Sequence, residues 1–551
     1  MAEGKLRRTG LILIGYDPAL VEQYGLANSF TAEVVGYFQG GHTSQGAEQA
    51  PLDLEAIIAW VDEQKDTVDA LAVSAYFSPL NTTHEQAVFE AISKMSDLPV
   101  VLGHQLSTRL DSIKRAATAS LNAFLVAVMH AFIAAVQSAL KERHIKAPLM
   151  VVKGNGSLMP QEEAVRKPVE TVLSGPAAST IGGRFFSKAD DALVIDIGGT
   201  TTDMALLRQG RVAVSEAGAR VGDIVTAVRA AKIRTAVIGC DSKIWLDADG
   251  GVRIGPDRVV PLARLAADFP EIKDDLDILG KKHAYVWKTT DLIYWFLQKE
   301  FDAAEAKAQP PIIRRLCKIL AGRPQSLATI LQVTGAHHEV QLDAETLIRE
   351  EYIGVAALTP TDLLHAKGEM DQWCAGTARR ALAGFCLLNQ TEPEMFINKT
   401  LDRMVADIAE EALVFLARRT QETLPETIDS AWGRWFFDKA LDTDNSGSLT
   451  VSLSSQFPLI GIGAPAAYFV ERVARAMNAQ FILPQYAQVG NAAGAVVGLV
   501  MTEAEAVVYI QETGNVRKYM VQVEDRHKAF KTEIEARQYA VDTAAAKAKD
   551  R

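Results

Sequence analysis

Asp196-Ile-Gly-Gly-Thr-Thr-Thr-Asp203 is the stretch whose reading decides the fold. Just before it, Ala192-Leu193-Val194-Ile195 is an apolar run of strand character. Just after it, Met204-Ala205-Leu206-Leu207 resumes a strand, so the motif is the tip of a β-hairpin. Gly198 and Gly199 let the backbone turn sharply and bring bare amide N–H groups towards an anion. Thr200, Thr201 and Thr202 add hydroxyl donors. Asp196, at the strand end, suits a divalent cation such as Mg2+ through water, because hard cations take oxygen ligands. Asp203 is placed to hold the turn or to face the metal, and the two aspartates are the candidate catalytic carboxylates. A P-loop differs, since it opens a helix and ends in Gly-Lys-Ser/Thr. The competing reading of the same residues is an ordinary Gly-Thr hairpin.

A second signal lies far downstream. Gly461-Ile-Gly463-Ala464-Pro465-Ala-Ala467 follows the apolar Pro458-Leu459-Ile460 and precedes a helical period over 466–477. A strand, a glycine turn and a helix N-terminus can take a purine ring or a phosphate. Alone this is weak, since many strand-to-helix turns contain glycine. Paired with the Asp-Gly-Gly-Thr hairpin, it describes the actin, hexokinase and Hsp70 type of ATPase, with phosphates at the hairpin and adenosine at the turn. Asn491, in the later Gly490–Gly494 stretch, joins the same nucleotide region.

The composition sets the frame. A chain of 551 residues is too long for one compact core, so two or three domains are expected. With 48% hydrophobic and 23% charged residues it is ordinary globular material. A formal net charge of −11 argues against a nucleic-acid partner. Cys240, Cys317, Cys374 and Cys386 are widely spaced without any CxxC, which supports neither a zinc site nor a disulfide framework. The expected compartment is the reducing cytoplasm. Leu11–Ile14 is too short for a signal-peptide core and reads as a first strand. The segment from Ala116 to Leu140 approaches the length of a membrane span, but Asn122, His130, Gln137 and its charged flanks favour a buried central helix.

Along the chain, residues 10–190 alternate strands with helical periods. Strands are expected at Leu11–Ile14, Leu71–Ser74, Val100–Leu102 and Leu149–Val152. Helices are expected at Leu52–Glu63, His84–Met95, Ser107–Leu140 and Glu162–Glu170. A second α/β region follows, with strands at 194–196, 204–207, 212–215, 235–238 and 243–246. Residues 265–430 read as mostly helical. Strand character returns at Ser448–Ser452 and Leu459–Ile462, and a helix fits Gly490–Met501. A hairpin through Gly514-Asn515 joins 507–510 to 519–523, and a charged helical tail runs on from Asp525. Asp442–Gly447 looks like the start of a calcium loop but lacks the closing Glu, so it reads as a turn.

Beyond these motifs, Ser174-Gly-Pro-Ala-Ala178 followed by 196–203 resembles the A-type chains of the hydantoinase/oxoprolinase family. The likeness extends to Tyr76–Glu85, Gly103–Ser107, Ala116–Ala123, Leu358–Asp362 with His365, Gly461–Ala467 and Pro484–Gly494, so it runs from about residue 5 to about residue 523. Two departures stand out. No Asp-x-Gly-Gly-Thr hairpin occurs before Leu11, where the family opens with one. A start assigned late and a true truncation both explain this, and the intactness of the other motifs favours the first. Ile238-Gly239-Cys240-Asp241-Ser242 stands where the family often has a glycine-rich turn, and Cys240 reads as a plain buried thiol.

The resemblance implies an α/β, actin/hexokinase/Hsp70-like two-lobed ATPase fold with a largely helical insertion. Its divisions would be a first lobe over 1–190, a second over 191–505 containing the insertion, and a C-terminal hairpin and helix over 506–551. It implies ATP and Mg2+ as cofactors and ATP-dependent ring opening of a cyclic amide or imide, such as a hydantoin or 5-oxoproline. The chain would be the ATP-binding half of an oligomeric enzyme completed by a B-type subunit. The alternatives are a small-molecule kinase, one chain of an ATP-dependent carboxylase, and a non-catalytic partner. Further positions stay open between substrate-binding and structural roles. Asp362 and His365 sit at i, i+3 after a Thr-Pro-Thr cap, which favours an N-cap and a satisfied histidine over a shared metal. His104 follows a strand, at the edge where α/β sheets bind ligands. Asn122, and the pair Asp241 and Ser242, complete the set. His337-His338 reads as surface.

Overall fold

The computed structural model describes residues 8–215, 217–247, 249–281, 287–299, 309–441, 448–502, 504–513, 516–523 and 526–550. The chain forms two compact units. The first comprises Met1–Gly182, Arg211–Lys232 and Ala492–Arg551, and the second Gly183–Gly210 and Ile233–Asn491. The expected lobes, divided near residue 190, thus differ from these units. The helix Ser174–Ser187 carries the crossing point, 211–232 belongs with the first unit, and so does the C-terminal hairpin and helix.

In the first unit a parallel sheet has the order β2–β1–β3–β4, with β1 Thr9–Ile14, β2 Val34–Phe38, β3 Ala70–Ala75 and β4 Val100–Leu102. β1 and β3 are buried at every residue, as strands covered on both faces must be. Alternate side chains sort by face. Ile12, Ile14, Leu71 and Val73 pack with Ile57 and Val61 of the helix Leu54–Gln64 and with Val88 and Ile92 of the helix Thr83–Met95. Leu11, Leu13, Ala70 and Ala72 pack against Ala116, Ala119 and Ala123 of the long helix Ser112–Glu142. Asp53 and Asp111 cap the first and last of these helices.

The long helix is continuously buried over Arg115–Ala123; farther along only Ile133 is buried, and Phe132 and most of its neighbours are exposed. The expectation of a buried central helix therefore holds for the first part, where small residues lie on the sheet. By length and composition this helix is apolar enough to cross a membrane.

The C-terminal part is a three-stranded antiparallel sheet, 507–513, 516–523 and 526–530, covered by the helix Glu533–Asp550. The segment after Asp525, expected to be helical throughout, thus begins as a third strand. The turn at Gly514-Asn515 and the segment Asp442–Gly447 lie outside the described residues.

The second unit is built on a sheet whose path runs β7–β6–β5–β8–β9, with β5 Ala192–Ile197, β6 Thr202–Arg208, β7 Ile233–Ala236, β8 Leu459–Ile462 and β9 Phe481–Ile482. β5, β6 and β7 form an antiparallel meander, and β8 and β9 add in parallel on the other side. The insertion is less helical than its sequence suggests. It holds a four-stranded sheet of Val260–Pro261, Ile353–Ala357, Tyr294–Leu297 and Gln325–Ser326 beside helices such as Pro311–Leu320, Ala375–Leu388 and Pro393–Thr420. These strands are two to five residues long, too short to show an alternating pattern. Ser448–Ser452, expected as a strand, is irregular, and the helix from Gly490 ends at Val497.

Gly494 in that helix lies on the backbone of the helix Ser174–Ser187. A Cβ there would come under 3.0 Å from Ala178 O and within 2.8 Å of Gly182 N. Gly494→Ala is therefore expected to prise the two helices apart and to cost about 1–3 kcal/mol, as overpacking does. A melting temperature equal to that of the wild type would show that the contact yields without strain.

Candidate functional site

The hairpin of β5 and β6 places Asp196 opposite Asp203 and Ile197 opposite Thr202. Gly198 N donates to Thr201 O at 2.9 Å and closes the turn. The loop Gly239–Ser242 braces the tip from outside. Cys240 N donates to Gly198 O at 3.1 Å, and Asp241 N donates to Gly199 O at 2.7 Å. Ser242 Oγ accepts from Gly239 N at 3.0 Å and fixes that loop. A Cβ on Gly199 would fall under 3.0 Å from the Asp241 carboxylate, and one on Gly239 under 3.0 Å from Gly199 O. Both positions need glycine for close approach rather than for a special φ.

The three threonines part company here. Thr202 is buried and its hydroxyl donates to Ile238 O at 2.7 Å, so it is a strut of the hairpin. Thr200 and Thr201 are only partly buried at the tip. Asp203 Oδ1 accepts from Thr235 Oγ1 at 2.5 Å. Burial pushes the Asp203 carboxyl up, the Thr235 hydroxyl pulls it down, and the facing charge of Asp196 raises it again, leaving it above its ordinary value.

The downstream glycine turn meets this hairpin through the sheet. β8 lies parallel to β5, with Gly461 opposite Ile195 and Ile462 opposite Asp196. Gly463, at φ +92°, therefore leaves the strand beside the Asp196 side chain: a Cβ on it would lie 3.0 Å from Asp196 Oδ1 and under 3.0 Å from Ile197 O. Ala464 is exposed, and the buried Pro465 precedes the helix Ala466–Ala476. Gly463 N donates to Ala487 O at 3.0 Å, which ties in the segment leading to Asn491 at the start of the helix Gly490–Val497.

The remaining positions separate cleanly. Thr361 Oγ1 donates to Cys240 O at 2.8 Å and lies 3.3 Å from Asp241 Oδ1, so the helix Pro360–Lys367 backs the bracing loop. Burial raises the Asp241 carboxyl, against the nearby Arg258 charge. Burial also raises the Cys240 thiol well above its ordinary range, in keeping with an inert thiol. Asp362 is fully buried. Its Oδ2 accepts from Thr359 N, Thr359 Oγ1 and Leu262 N, and its Oδ1 accepts from Ala263 N. Burial nevertheless pushes its carboxyl up to about 6. His365 Nδ1 donates to Thr361 O at 2.8 Å and Nε2 accepts from Trp373 N at 3.2 Å. Asp362 and His365 are thus each engaged by protein groups, the arrangement of an N-cap and of a hydrogen-bonded histidine. Asn122, fully buried in the first unit, donates to Arg166 O and accepts from Val169 N. His104 also lies in the first unit.

Thr235, Arg258 and Thr361 go unmarked as site residues in the sequence. Only the Thr-Pro-Thr-Asp cap hints at one of them. Among the described residues, no group of three or more His, Cys, Asp or Glu side chains is placed to hold a metal ion.

Comparisons with known proteins bear on the family and the fold. The family description "Hydantoinase/oxoprolinase N-terminal region" matches residues 3–96, and "Hydantoinase/oxoprolinase" matches residues 115–261. The chain is 29% identical over 222 residues to the alpha chain of the caprolactamase of Pseudomonas jessenii, covering 39% of this chain and 31% of that protein. It spans about a third of the length of that relative. Two solved structures share the fold. One is a nucleotide-free acetone carboxylase from work on ATP-dependent acetone carboxylation (TM-score 0.55, 13% identity, covering 92% of this chain and 60% of that one). The other is the ATP-dependent caprolactamase of Pseudomonas jessenii (TM-score 0.51, 18% identity, covering 93% and 62%). The fold is that of the actin/hexokinase-like ATPases. Residues 3–96 and 115–261 thus resemble the hydantoinase/oxoprolinase family, whose relatives include named subunits of larger enzymes.

Replacing Asp362 by Ala would orphan several buried backbone donors at once, each costing about 1–3 kcal/mol. The expected result is a second unit that unfolds at clearly lower urea concentration. An unchanged midpoint would mean that water takes over the bonds.

Proposed function

We propose that the hairpin tip and the Gly463 turn are two ends of one ATP site in the second unit, and that the chain is the ATP-binding subunit of an enzyme opening a cyclic amide or imide. The observation that carries this reading is the approach of Gly463 to the Asp196 carboxylate, set by the pairing of β8 with β5. The donor set fits Mg2+, which is commonly held by one or two carboxylates with waters and phosphate oxygens rather than by an all-protein cage. Asp196 would hold the ion through water, with Asp203 facing it. Thr200 and Thr201 would offer hydroxyls to phosphate oxygens at the tip, and Gly199 a backbone amide. Gly461, Gly463, Ala464 and Pro465 would bound the adenosine end, near Asn491. Bound ATP would supply a phosphoryl group that activates the amide oxygen, and the protein's part is to orient it and to stabilise charge.

The relatives support ATP use and leave hydrolysis and carboxylation both in view, since one neighbour is a carboxylase and the other a caprolactamase. Ring opening is preferred because the sequence likeness to the caprolactamase chain, 29% over 222 residues, exceeds that to a carboxylase chain, 26% over 180 residues. That relative is named as one subunit of its enzyme, which supports a B-type partner and a hetero-oligomer. All four cysteines are free, in keeping with a cytoplasmic protein.

Asp196→Ala should abolish nucleotide-dependent turnover, assayed with the partner present, while leaving the melting curve unchanged. A wild-type rate would remove Asp196 from the site. Gly463→Val should raise the Kd for ATP at least about tenfold, ~1.4 kcal/mol, in equilibrium titration. Equal affinity would put the adenosine elsewhere.

A further inference from the structure

The helix Ala431–Leu441 of the second unit turns three aromatic rings to solvent. Trp432 is 72% exposed, Trp435 42% and Phe436 45%. The other side of the helix is the one that docks. Phe437 is buried, and the Arg434 guanidinium grips both carboxylate oxygens of Glu410 in the helix Pro393–Thr420, at 2.6 and 2.8 Å. Arg434 Nη2 also donates to Ile428 O at 3.2 Å, and Ser430 Oγ accepts from Gly433 N at 3.0 Å where the helix begins. With 434 and 437 turned inward, 432, 435, 436 and 439 share the outward stripe, at i, i+3, i+4 and i+7. The half-buried Lys439 closes it. The rings are already assembled. Trp435 and Phe436 meet edge to face with centroids 5.1 Å apart, and Trp432 lies 6.0 Å from the first and 5.9 Å from the second. Single exposed apolar side chains are ordinary, but a contiguous patch marks a contact site, and Trp is among the residues that most often anchor one. Rings held against each other in advance lose little freedom on docking. Together they offer roughly 300–400 Å2, enough for the centre of an interface that buries about 800 Å2 on each side.

We propose that this stripe is the face on which a second copy of this chain docks, the two helices packing antiparallel about a two-fold axis between Trp435 and Phe436. The order of residues along the stripe selects that occupant. A two-fold axis at this point sets 435 of one copy opposite 436 of the other, and 432 opposite 439. Aromatic rings then meet aromatic rings at the centre. At each end the Lys439 ammonium meets the Trp432 ring of the other copy, a cation on a π face. The stripe is its own complement, which is what an isologous interface requires. An anionic membrane surface suits it less, because the carboxylates of Asp429 and Asp438 lie on the same short segment. The pairing joins two copies through the second unit and depends on nothing in the nucleotide site.

The test uses the full chain by itself, in sedimentation velocity and light scattering from about 1 to 100 μM. The expected species has twice the 59.8 kDa mass of the chain. Trp435→Glu, which sets a carboxylate against the facing rings, should leave a monomer. Trp432→Ala and Lys439→Glu should each raise the dimer Kd at least about tenfold. Far-UV circular dichroism should match the wild type in all three, since these side chains point away from the core of the unit. The register is read separately. p-Benzoylphenylalanine in place of Trp432 should cross-link on illumination to residues around Lys439 of the other copy, identified by peptide mass spectrometry on a mixture of isotopically light and heavy chains. A wild-type chain that stays monomeric over the whole range, a dimer that survives both Trp435→Glu and Trp432→Ala, or cross-links that fall away from the helix Ala431–Leu441 would overturn the proposal. A monomer whose stripe instead binds a B-type chain would give the face to that subunit and overturn it equally.

Discussion

The parallel pairing of β8 with β5 is the constraint from which the site in the second unit follows. Ile462 lies opposite Asp196, so the chain leaving β8 has to turn beside that carboxylate. A turn at φ +92° with a neighbouring carbonyl under 3.0 Å from any Cβ admits glycine and little else. Gly463 is therefore fixed twice, once by backbone conformation and once by space. Sliding the register by one residue would reverse the faces of β8 and strip Ile460 and Ile462 from the core they share with Val194 and Leu207. The apolar core thus holds the polar site in place.

Around the hairpin tip the same economy recurs in backbone hydrogen bonds. The loop Gly239–Ser242 satisfies the carbonyls of Gly198 and Gly199, and Thr361 and Asp362 satisfy groups of the loop and its surroundings in turn. Each layer presents few free options to the next. This is the arrangement expected of a site that must keep its geometry while a charged ligand comes and goes. Glu85 plays a comparable part in the first unit, where one buried carboxylate ties the ends of β3 and β4 to a helix and to an imidazole.

Much of the fold is legible in the residues alone. Strands such as Leu11–Ile14 and Leu71–Ser74 announce themselves as unbroken apolar runs, because a parallel sheet is covered on both faces. The hairpin motif carries its own turn residues. The helical insertion is only half legible, because its strands are too short for a period to show and pair with distant segments. The segment 526–530 reads as the start of a helix because its charged residues fit a solvated helix face as well as an edge strand; pairing with 516–523 settles the matter.

By itself the sequence determined the two nucleotide-like motifs and the α/β class, since each rests on local residue chemistry: glycines that turn, aspartates at strand ends, apolar runs of fixed period. Only the tertiary structure decided which candidates meet. It brought Gly463 to Asp196, turned Thr202 inward as a strut, committed Asp362 to a helix cap and His365 to two backbone groups, and joined His104 to Glu85. The reason is physical. Hydrogen-bond partners across a sheet or between packed helices are set by register and burial, which depend on the whole chain at once, whereas propensity and turn chemistry are written within a few residues.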